Sequence, residues 1–86
     1  MGELCKLPNL GRVIEEQLNS VGITTAEELK KIGSREAWLK IQQADSSACI
    51  HRLYALEGAI QGVKKTMLSD EDRKELKKFY EDNKMY

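Results

Sequence analysis

Apolar residues along this chain recur at three- and four-residue steps rather than alternating, which is the period of an α-helix with one buried face. Ile14, Leu18 and Val21 fall at i, i+4 and i+7, so the first clear helix opens at Leu10-Gly11 and carries one apolar stripe. Gly22 follows it, at the place where a helix ends in the left-handed conformation that a Cβ resists. Thr25-Ala26-Glu27-Glu28 reads as a capping box. Thr25 can accept the amide at Glu28, and Glu28 can reach back to the start of the helix. That short helix runs from Ala26 to about Ile32 and stops at Gly33. Ser34 is expected to cap the next one, with Ala37, Trp38, Ile41 and Ala44 turned inward.

Asp45-Ser46-Ser47 supplies turn and cap chemistry before the longest helix, about Ala48 to Gly62. Its stripe is Cys49, Leu53, Leu56, Ile60 and Val63. Ala55/Ala59 and Gly58/Gly62 are small-residue pairs four apart on neighbouring faces. A glycine inside a helix costs about 1 kcal/mol relative to alanine, so Gly58 predicts a second backbone passing close. Glu57 sits beside the centre of the stripe, where a carboxylate needs a cation or an N–H partner. It is expected to tie this helix to a hairpin or a helix N-terminus. Ser69-Asp70-Glu71-Asp72 is a second capping box. The last helix then buries Leu68, Leu76, Phe79 and Tyr80 and leaves a solvated face of alternating charge that includes Arg73. Residues 80–86 are expected to fray at the end. Their aromatic surface, with Phe79, either closes the core or serves self-association. The whole pattern gives an all-α fold, a single domain over residues 1–86 with five to six short helices.

Composition narrows the function more than it names it. With 86 residues there is room for one small domain, and 41% apolar content suffices for one core. No apolar run approaches the roughly 20 residues of a membrane span, and MGELCKLPNL lacks the basic start and apolar stretch of a signal peptide. Cys5 and Cys49 are two separated thiols with a lone His51, which cannot assemble a local zinc site and fit a cytoplasmic protein. Both read as small hydrophobes near the core. His51 has no acid or thiol at dyad spacing, and no phosphate loop or nucleophile elbow occurs, so the chain reads as non-enzymatic, without cofactor, metal or small-molecule substrate. Fourteen basic residues balance fourteen acidic ones, so a nucleic-acid surface would have to be local.

One pattern remains. Leu7-Pro8-Asn9-Leu10-Gly11 and Leu29-Lys30-Lys31-Ile32-Gly33 both read Leu-x-x-apolar-Gly before a helix. A glycine-closed turn leaves the first amides of the following helix open to an anion. The turn resembles the helix-hairpin-helix motif, a SAM-like arrangement that contacts DNA phosphates. Asn9 stands for the motif's first glycine, Val13 for its lysine and Glu15 for its small residue; the second copy keeps Gly33 and Ala37 but has Lys31 at the first glycine. By that resemblance, phosphate contacts would come from Asn9, Leu10, Gly11 and Arg12, and from Lys30, Lys31, Gly33, Ser34 and Arg35.

From Leu7 to Leu76 the chain also resembles the C-terminal domain of the bacterial competence regulators of the TfoX (Sxy) family. The resemblance rests on Leu7–Gly11, on Val21–Leu29 with Gly22, Thr25 and Glu28, on Ile32-Gly33, and most specifically on Leu53-Tyr54-Ala55-Leu56-Glu57-Gly58-Ala59-Ile60. It implies an all-helical domain tied to transcriptional control of DNA uptake, which in longer members follows a separate N-terminal domain. Two functions follow as expectations. The first is a regulatory or protein-interaction module, with a protein partner or a second copy of the chain. The alternative is sequence-independent DNA binding through the two turns.

Overall fold

A computed structural model describes residues 4–46 and 48–84, without the side chain of Cys5. Ser47, Met85 and Tyr86, about which the sequence raises expectations, lie outside the described residues. The helices are α1 (Arg12–Ser20), α2 (Ala26–Ile32), α3 (Ser34–Ala44), α4 (Ile50–Gln61) and α5 (Asp70–Asn83), with 3₁₀ turns at Leu4–Lys6 and Lys65–Met67. The fold is all-α, as the periodicity requires.

Local chemistry sets most helix ends. The amide of Gly22 donates to Asn19 O and that of Ile23 to Leu18 O, with Gly22 at φ +90°. This crossed pair satisfies carbonyls that the helix would otherwise leave open, and the buried Ile23 packs behind it. Helix α4 ends the same way, with Gly62 at φ +79° and the amide of Val63 returning to Gly58 O. At Thr25 the capping box is complete. Its hydroxyl accepts the Glu28 amide at 3.1 Å, while Glu28 Oε1 accepts the amides of Thr24 and Thr25 at 2.9 and 3.1 Å.

These bonds, led by that from the Thr24 amide, hold the Glu28 carboxyl below its ordinary range. A carboxyl depressed in the folded state stabilises the fold above its unfolded value, and the contribution disappears as pH falls through the folded one. Thermal melts should therefore show a shallower acid-side loss of Tm in Glu28→Gln than in the parent chain. Equal acid slopes would refute this.

Packing sets the rest. Helix α3 lies against α4, and α4 against α5 and the second 3₁₀ turn, so α4 is the central element. It contributes Leu53, Ala55, Leu56, Gly58 and Ala59 to the interior. Trp38 on α3 is fully buried, its Nε1 donates to Cys49 O at 3.3 Å, and Phe79 and Tyr80 meet it edge-on at 6.1 and 5.5 Å. Phe79 and Tyr80 thus close the core. Cys49 is half-buried at its edge.

Six expectations need correction. Ser34 does not cap α3: Gly33 holds that position and Ser34 is the first helical residue. Ala44 faces solvent, because α3 ends there. Asp45 does not cap α4; Cys49 is its N-cap without a side-chain bond, and Asp45 instead accepts Gln17 Nε2 at 3.1 Å and Arg52 Nη1 at 3.3 Å. At Ser69 only half the box forms, since the Asp72 carboxylate turns to Gln61 Nε2 at 3.0 Å. Arg73 is not solvated: it is half-buried and its Nη2 donates to Lys65 O and Thr66 O at 3.2 and 2.8 Å. Fraying does not begin at Tyr80, because α5 continues to Asn83, whose carbonyl accepts Gln42 Nε2 at 2.9 Å.

Candidate binding surface

The two Leu-x-x-apolar-Gly segments do not fold alike. In the second, α2 runs directly into α3 through Gly33 at φ +90°, a helical hairpin with one linking residue. In the first, a 3₁₀ turn precedes the segment, Asn9 takes the left-handed conformation at φ +70°, and Gly11 stays extended at φ −96°. Asparagine tolerates that conformation better than most residues. The turn is therefore built around its third residue in one copy and its fifth in the other.

Asn9 also has a task that local spacing does not announce. Its Nδ2 donates to Val63 O at 2.9 Å and to Ala55 O at 3.4 Å, and its Oδ1 accepts the Lys65 amide at 2.8 Å. The side chain lies on the bare backbone of Gly58, where a Cβ would meet Nδ2 at 2.5 Å and Val63 O at 2.8 Å. The backbone expected to pass close to Gly58 is that of Val63 and Lys65, and the Asn9 side chain, which the sequence does not announce, lies against Gly58 as well. A single amide joins the first turn to α4 and to the segment that follows it.

The residues singled out for phosphate contact fall into two groups. Leu10 is a core residue whose amide donates to Leu7 O, the Gly33 amide donates to Leu29 O, and the Asn9 side chain is held as described. Ser34 is buried, and its hydroxyl donates to Glu57 Oε1 at 2.5 Å. Gln61 Nε2 donates to the other oxygen of Glu57 at 2.6 Å, so Glu57 ties α4 to the start of α3, as its sequence position suggests. The remaining candidates, Gly11, Arg12, Lys30, Lys31 and Arg35, are exposed. Arg12 pairs with Glu16 at 3.3 Å, an exposed pair that contributes only a few tenths of a kcal/mol. Neither α1 nor α3 has a side-chain cap, so both helix starts adjoin these exposed cations.

A second basic surface emerges from the tertiary structure alone. His51 and Arg52 on α4, Lys65 in the second 3₁₀ turn and Arg73 on α5 line two open hollows of about 210 and 280 Å³, which share His51 and Lys65. Ile14, Cys49 and Ala55 line one of them, Tyr54 the other. His51 and Tyr54 stack edge-on at 6.3 Å. Among the described residues, no acidic side chain lines either hollow. The four basic residues come from three elements, so no spacing in the sequence marks them as a group.

Comparison with known proteins places this geometry among relatives. The family described as the TfoX C-terminal domain matches residues 1–80. Protein Sxy of Escherichia coli (strain K12) is 36% identical over 70 residues, or 81% of this chain and 34% of that protein, so the chain spans about a third of that relative's length. A crystal structure of an uncharacterized protein from Listeria monocytogenes, in a triclinic form, superposes with a TM-score of 0.91 at 49% identity, over 92% of this chain and 90% of that one. A tetragonal form of a Listeria monocytogenes protein of unknown function gives 0.90 at 49% identity, over 92% and 96%.

Proposed function

The chain belongs to the TfoX C-terminal domain family, and on that premise we propose that it is a non-catalytic regulatory module that binds a protein partner in the control of DNA-uptake competence. The family match over residues 1–80 carries this reading. The physical chemistry is compatible with it. Zero net charge gives no long-range field for a polyanion, whereas protein recognition needs only local complementarity. The Leu53–Ile60 string that most resembles the family is largely inside, with Leu53, Ala55, Leu56, Gly58 and Ala59 buried. Its likeness to relatives thus reports shared packing, and the binding surface lies on the exposed elements. Among the described residues no group of three or more His, Cys, Asp or Glu could hold a metal ion, and no helix is long and apolar enough to cross a membrane. The proposed site of action is the cytoplasm.

The test is genetic. Deleting this chain from its bacterial host should reduce transcription of DNA-uptake genes, and a restored copy should recover it. Unchanged transcripts would overturn the regulatory reading. A second reading, phosphate contact at the turns, is favoured by the exposed Arg12, Lys30, Lys31 and Arg35 near uncapped helix starts. Duplex binding that weakens steeply with salt and is lost in an Arg12→Ala/Lys31→Ala/Arg35→Ala variant would replace the protein partner with DNA.

A further inference from the structure

We infer that the groove between α4, the second 3₁₀ turn and α5 binds an acidic peptide segment of a protein partner. This rests on the reading that the domain acts by binding protein. The charge of the groove favours an acidic occupant. Among the described residues, His51, Lys65 and Arg73 make no ion pair, and Arg52 makes one, to Asp45. Exposed lysines are unpaired elsewhere too, for instance Lys30 and Lys31 in the last turn of α2. Here Arg52, Lys65 and Arg73, with the imidazole of His51 among them, converge on open hollows with no carboxylate among the described residues of their lining.

Hydrogen bonds brace part of the groove wall. Lys65 is held from both sides: its amide donates to Asn9 Oδ1 and its carbonyl accepts Arg73 Nη2. The guanidinium of Arg73 is thereby fixed by two carbonyls, which leave its charge uncompensated, and its Nε is buried without a partner. The Arg73 guanidinium and the backbone that carries Lys65 are therefore preorganised, which lowers the ordering cost of binding.

Size and polarity choose the occupant. Each hollow is smaller than the roughly 300–1,000 Å³ of a small-molecule pocket, and suits individual side chains. The apolar Ile14, Ala55 and half-buried Cys49 lie beside the cations, and the turn that carries Lys65 ends in Met67, 71% exposed. Apolar surface adjoining positive charge matches a peptide that mixes acidic and apolar residues. A phosphate backbone would leave that apolar surface uncovered.

The experiment is a fluorescence anisotropy titration of the full chain with a short labelled peptide in which glutamates alternate with alanine and leucine. The parent chain should bind it, and His51→Glu/Lys65→Glu should weaken binding by about tenfold or more. Circular dichroism of that variant should match the parent. Lys30→Glu/Lys31→Glu, the same charge change on the hairpin, should leave binding close to the parent's. The inference is overturned if the parent does not bind, if both variants lose binding equally, or if duplex DNA at matched salt occupies the groove in place of the peptide. The deletion experiment and this titration fail separately: transcripts decide regulation, and only the titration decides the groove.

Discussion

Gly58→Ala lowers the stability of the domain by about 2–3 kcal/mol, although alanine is the better helix former. Propensity alone favours the substitution by about 1 kcal/mol. The new Cβ, however, would stand 2.5 Å from Asn9 Nδ2, 2.8 Å from Val63 O and 3.3 Å from Lys65 Cα. Two of those three neighbours are backbone, and the third is an amide fixed by the carbonyls of Ala55 and Val63 and the amide of Lys65. If Asn9 swings away, its partners lose bonds that contribute about 1 kcal/mol each. Either response outweighs the helix term. Chemical denaturation measures the difference. A companion variant, Asn9→Gly, keeps the φ of +70° accessible but removes the amide. In that background Gly58→Ala should cost about 1 kcal/mol less, because one of the clashing atoms has gone. A neutral or stabilising Gly58→Ala would mean that the loop from Val63 to Lys65 yields readily and that Gly58 is not held by close packing.

Trp38→Ala should be more damaging still, by about 3–5 kcal/mol. Trp38, on α3, is fully buried against the last turns of α5, with Phe79 and Tyr80 edge-on to it. Truncation removes the surface on which those rings rest and leaves Cys49 O without the indole donor. The effect should be uneven. Amide exchange should accelerate at Phe79 to Asn83 more than in α1, where the Gly22 termination and the buried Leu18 are untouched. Trp38→Phe should recover part of the loss by refilling the cavity while still lacking the hydrogen bond. Uniform exchange along the chain would show that the domain opens only as a whole, against this picture of a separately docked α5.

Much of the fold is legible in the sequence because its signals act over a few residues. The Thr25 box and the Gly22 ending depend on spacings of three or four, and each is present, whereas α4 buries Ala55, Gly58 and Ala59 beside Leu53 and Leu56 rather than the Cys49, Ile60 and Val63 of its expected stripe. Glu57 is legible for a different reason. A carboxylate beside an apolar stripe needs a partner wherever the chain folds, although only the structure names Ser34 and Gln61 as that partner. Ser34 reads as a cap because serine before an apolar pattern ordinarily is one, whereas Gly33 makes the turn and Glu57 draws the hydroxyl inward. Asp45 and Arg73 mislead similarly. Their local neighbours offer caps and i,i+4 pairs, but packing offers them Arg52 and the carbonyls of Lys65 and Thr66.

The sequence by itself determined where this chain turns, which faces of its helices are apolar, and that one glycine in α4 awaited a close neighbour. Those properties follow from backbone dihedrals, capping and periodicity, all of which are short-ranged. Only the tertiary structure decided that the Asn9 side chain joins Val63 and Lys65 as that neighbour, that two similar turns differ in geometry, and that His51, Arg52, Lys65 and Arg73 line adjoining hollows. Those facts depend on how α4, α5 and the first turn pack together. That arrangement is fixed by burial summed over the whole core, and no local spacing encodes it.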